Sequence, residues 1–169
     1  MAMERQSTRS AHAVRSAASR AGRLMPANGT VESLANNLAR ERGRPIRMLP
    51  HDLGPHDPSG FWIATEANDW IVIPERVGSA QRTAIICHEL AHILLGHTRQ
   101  DTDAYANWVA THVAPDIDPV IVRRFLARSW YEDAVEFEAE ALATQMVAML
   151  ARQSERNRLA QDSVSNRLR

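Results

Sequence analysis

Residues 85–97 read IICHELAHILLGH, placing three histidines and one glutamate inside an otherwise apolar run that stops at Gly96. Successive residues of an α-helix turn by about 100°, so His88 and His92 stand one turn apart on one side, with Glu89 beside them. On that wheel Gln81, Ala84, Ile85 and Leu95 share the histidine side. Ile86, Leu90, Ile93 and Leu94 fall opposite, so the helix is apolar nearly all round and has to be buried. Two imidazoles and a carboxylate carried into a core need partners. The spacing H-E-x-x-H supplies a reason for them: two histidines one turn apart can bind one Zn²⁺, while the glutamate, which is not a ligand, works on the attacking water. Core histidines satisfied by backbone carbonyls are the bland alternative; it explains each ring singly but leaves the spacing and Glu89 to chance.

His97 does not extend the motif. The longer pattern H-E-x-x-H-x-x-G-x-x-H requires glycine and histidine three and six residues after the second histidine, where this chain has Leu95 and Thr98. A capping or surface role is expected for His97. Cys87 adjoins His88 but points about 100° away, so it reads as a small buried apolar group and not as half of a Cys-His nucleophile pair.

A zinc site of the catalytic kind keeps three protein ligands and one open position, so a third ligand must come from elsewhere. The stretch 130–153 has helical periodicity, and with Glu138 at the origin Tyr131, Ala134, Val135, Ala141, Leu142, Met146 and Met149 fall in one half of the wheel. Glu138 then sits within the apolar stripe, whereas Glu132, Asp133, Glu136 and Glu140 are expected on a solvated face. An ionised carboxylate in such a stripe needs a cation opposite. Zinc bound by His88 and His92 is one such cation; an arginine such as Arg123 is the alternative.

The rest of the chain organises around these two helices. A length of 169 residues with 44% hydrophobic residues is enough for a single core. Residues 30–43 read as a short amphipathic helix, with Thr30 as N-cap, Val31, Leu34 and Leu38 on one face, and Gly43 as the stop. Residues 45–49, 61–65 and 70–73 are short and rich in β-branched or aromatic residues, and two of them are expected to form a hairpin. A helix over 80–95 follows. Residues 101–119, with Pro115 and Pro119, read as a connector and are followed by a short apolar piece at 120–126. The expected fold class is α+β: a small antiparallel or mixed sheet packed on a helical zincin-like core, in one domain over 28–153. Residues 1–27 are expected to be a disordered basic arm, and 154–169 a polar frayed tail.

Composition narrows the function classes. The twenty basic residues are all arginine and balance twenty acids, but residues 1–47 hold nine Arg against three acids, and 101–140 nine acids against three Arg. The basic start lacks interleaved aromatics and a reading helix, so direct nucleic-acid binding is not expected. A lone cysteine excludes an internal disulfide framework, no run spans a bilayer, and no signal pattern opens the chain, so a cytoplasmic protein is expected.

From Ser59 to Met149, roughly half of the chain, the sequence resembles the ImmA/IrrE family of metallopeptidases. The resemblance is carried by HELAHILLGH and by the downstream pattern E-A-x-x-(apolar)-A, met by Glu138, Ala139, Leu142 and Ala143. It implies a gluzincin-like zinc fold with His88, His92 and Glu138 as ligands, Glu89 as catalytic base and a protein substrate. Members of that family often cleave a DNA-binding helix-turn-helix repressor, here expected on a separate chain. A zinc-fold module that binds such a partner without cutting it is the alternative function. The oxyanion donor is not identified by spacing; His112, Tyr105 and Tyr131 are candidates.

Overall fold

The computed structural model describes residues 2–53, 58–65, 67–97 and 133–167. By contacts the chain divides into one unit, Met1–Leu95 with Glu138–Arg169, and another, Gly96–Phe137. The described residues form four helices and a three-stranded mixed sheet, an α+β architecture: α1 (Ala2–Leu24), α2 (Val31–Arg42), β1 (Ile46–His51), β2 (Phe61–Ala64), β3 (Asp69–Pro74), α3 (Ser79–Leu95) and α4 (Asp133–Arg167).

Helix α2 has the ends its sequence calls for. The Thr30 side chain accepts from the Ser33 amide, and Gly43 adopts the left-handed conformation (φ 63°) that lets its own amide close on Ala39 and Arg40. The expected hairpin is β2–β3, with Phe61 opposite Val72 and Ala64 opposite Asp69. Strand β1 lies on the other side of β3 and parallel to it, Ile46 opposite Asp69, giving the order β1-β3-β2. The central position explains why WIVI is an unbroken apolar run: Ile71, Val72 and Ile73 are fully buried, as a strand covered on both faces must be.

A fully buried acid opens β3. Asp69 accepts from the Trp62 indole N–H at 3.1 Å, is ion-paired to Arg44 at 3.1 Å and is bonded to Arg42. Arg44 also donates to the backbone carbonyls of Thr65 and Asn68. These contacts tie the end of α2 to the hairpin turn.

Two boundaries differ from those expected. The first 27 residues are not a disordered arm: α1 is helical over Ala2–Leu24 and buries Val14, Ala17, Ala18 and Ala21 in the common core. Those positions follow the i, i+3, i+4, i+7 rule, but three of the four are alanine. An alanine stripe carries little hydrophobic signal, yet it allows close helix approach. The polar end is also helical, through Arg167, because no glycine or proline interrupts 133–167. That extension is docked: Gln153 and Asn157 donate to the Ala27 carbonyl at 3.2 and 2.6 Å, and Ser154 to that of Gly29 at 3.2 Å. Gly29 (φ 69°) has no room for a Cβ, which would lie 2.9 Å from the Ser154 backbone nitrogen.

Candidate metal centre

Helix α3 is buried nearly all round, as the wheel required, with Ile86, Cys87, Leu90 and Ala91 at zero exposure. It lies close against the sheet at Gly60, where an added Cβ would fall 2.3 Å from Ile85 Cγ2 and 3.1 Å from the Val72 carbonyl oxygen. Gly96 (φ 71°) ends the helix, and half-buried His97 follows it beyond the last turn. Burial pushes the Cys87 thiol up to about 12, which keeps it protonated near neutrality and fits a packing role.

The two motif histidines face each other. Their Nε2 atoms are 3.0 Å apart and their rings meet edge to face, with centroids 4.8 Å apart and planes inclined at 72°. His92 is buried and His88 half-buried. Two ring nitrogens at that separation either share one proton or hold one ion. The tetrahedral edge between two imidazole ligands of Zn²⁺, at about 2.0–2.1 Å from the metal, is about 3.3 Å, so a small ring adjustment would accommodate it. Glu89 is buried beside them, at 5% exposure.

Helix α4 brings a carboxylate to this pair: Glu140 Oε2 lies 3.3 Å from His88 Nδ1. Glu140 is expected on a solvated face and its side chain is 71% exposed there, yet it reaches the half-buried ring of His88. The buried positions of α4 are Ala139, Leu142, Ala143, Met146 and Leu150, so the stripe centres on Ala139 and Met146, one residue on from Glu138. On the wheel Glu136 and Glu140 border that stripe on one flank, and half-buried Glu138 borders it on the other. Ala134, counted in the apolar half of the sequence wheel, is exposed. Alanine fits either side of a helix, so it rotated the inferred stripe.

Tyr105, His112, Arg123 and Tyr131, and the connector and apolar piece over 101–126, lie outside the described residues. No described helix is long and apolar enough to cross a membrane.

No protein-family model matches the chain, and neither does any curated protein or solved structure at a significant level.

Proposed function

We propose that this chain is a zinc-dependent peptidase acting on a protein or peptide substrate, with His88 and His92 as ligands and Glu89 as general base. The observation that carries this reading is the meeting of the two Nε2 atoms at 3.0 Å on a buried helix, with a carboxylate-bearing helix beside them. The donors fit the ion: two imidazole nitrogens and one carboxylate oxygen are a known catalytic zinc set. The third donor comes from the first two turns of α4. The sequence pattern offers Glu138, and Glu136 is the neighbouring acid on the opposite flank of the helix. They are about 200° apart on the helix, so one ion takes one of them.

When bound, zinc lowers the pKa of a coordinated water toward neutrality and polarises the scissile carbonyl. The chain's own contribution begins with Glu89, whose carboxylate takes the proton of the attacking water and returns it to the leaving amine. Its position one residue after His88 on a rigid, buried helix fixes it relative to both ligands, which favours proton transfer over exchange with bulk water. A helix-turn-helix repressor on a separate chain is the proposed substrate, on the strength of the ImmA/IrrE resemblance.

The test uses the full chain with such a repressor or a peptide library. Glu89→Gln should retain one zinc per chain and lose cleavage by about 10²–10⁴-fold. Retained cleavage would remove Glu89 from the role of base, and a stable complex without fragments from wild-type protein would favour a binding module. Elemental analysis of Glu136→Ala and Glu138→Ala, prepared separately, identifies the third ligand as the one whose loss empties the site.

A further inference from the structure

The Glu140 carboxylate does nothing in the mechanism above, yet it lies 3.3 Å from the ring nitrogen of His88 that faces away from His92. Its side chain is 71% exposed, so it is not held there by burial in the core. An ionised carboxylate can only accept a hydrogen bond, so the contact requires the proton of a neutral His88 to sit on Nδ1. The Nε2 lone pair of the same ring is then directed at His92 Nε2. The two nitrogens of one imidazole are thus given separate roles by two different helices.

We propose that Glu140 is a positioning residue for His88, fixing the Nδ1–H tautomer and the ring orientation that present Nε2 to a metal ion. The proposal rests on the zinc-site reading above. A carboxylate hydrogen-bonded to the far nitrogen of a ligand histidine also raises the basicity of the ligating nitrogen, and loss of such a partner weakens metal binding about 10–100-fold. The side chain touches neither substrate nor metal. Its exposure makes substitution compatible with folding, since alanine and glutamine are both good helix formers.

The experiment measures zinc affinity of the full chain by competition with a chromophoric chelator, for wild type, Glu140→Ala, Glu140→Gln and, as a remote control, Glu155→Ala. Imidazole nitrogen NMR spectra of the same proteins, stripped of zinc and reloaded, give a second readout. Glu140→Ala should lower affinity about 10–100-fold with stoichiometry unchanged at saturating zinc, and should convert the zinc-free His88 ring to a mixture of tautomers. Glu140→Gln, which keeps an acceptor oxygen without the charge, should recover part of the affinity and the Nδ1–H signal. Glu155→Ala should match wild type. Affinity within twofold of wild type in Glu140→Ala, or an unchanged His88 tautomer, overturns the proposal. Wild-type protein that binds no stoichiometric zinc fells the peptidase reading instead, and the tautomer in Glu140→Ala then decides the role of Glu140 alone.

Discussion

Asp69 and the histidine pair are both polar clusters inside an apolar core, and they are built oppositely. Around Asp69 the charges are complementary: one carboxylate meets two guanidiniums and an indole N–H, donors facing an acceptor. At His88 and His92 like meets like, with two ring nitrogens at 3.0 Å and the Glu140 carboxylate 3.3 Å from His88. The first cluster pairs opposite charges within the protein and holds the turn of the hairpin to α2. The second gathers electron-pair donors, the arrangement on which the zinc proposal draws.

That contrast can be broken by mutation. Asp69→Ala leaves Arg42, Arg44 and Trp62 arranged around a lost acceptor and should destabilise the protein by about 3–5 kcal/mol, read from the denaturant midpoint. A loss below about 1 kcal/mol would show that the cluster is not a structural node. His92→Leu should abolish zinc binding and yet leave the zinc-free protein within about 1 kcal/mol of wild type, because an apolar side chain of similar size suits that buried position. A zinc-free variant as unstable as Asp69→Ala would erase the distinction.

A surface ion pair sets the lower end of the scale. Arg20 donates to Glu41 at 2.8 Å, and this hydrogen bond, ahead of the attraction of the charges, holds the Glu41 carboxyl below the usual range. A lowered folded-state pKa means that the stabilisation is present above the unfolded-state value and is lost as pH falls through the folded one. Both side chains are about a third exposed, so water screens the pair. Arg20→Ala should cost about 0.5 kcal/mol or less at pH 7, and the difference from wild type should vanish in strong acid; a difference that grew on acidification would reverse the assignment.

How much could be read in advance followed the strength of the local signal. Thr30 and Gly43 bound α2 because capping is decided by a few neighbouring atoms. The strands and α3 were legible because large apolar residues recur at the period of each element. Helix α1 was missed because Ala17, Ala18 and Ala21 hardly distinguish a packed stripe from a solvated arm. Asp69 falls just outside the strand expected over 70–73, and nothing near it in sequence shows that Arg42 and Arg44 will converge on it.

The sequence by itself determined the chemistry of the candidate centre, because the one-turn spacing of His88 and His92 and the position of Glu89 are properties of any helix over those residues. Only the tertiary structure decided which carboxylate of α4 approaches the rings, bringing in Glu140 and turning the buried stripe onto Ala139 and Met146. The reason is rotational: a helix rich in alanine and glutamate can bury several neighbouring faces at similar cost, and contacts distant in sequence select among them.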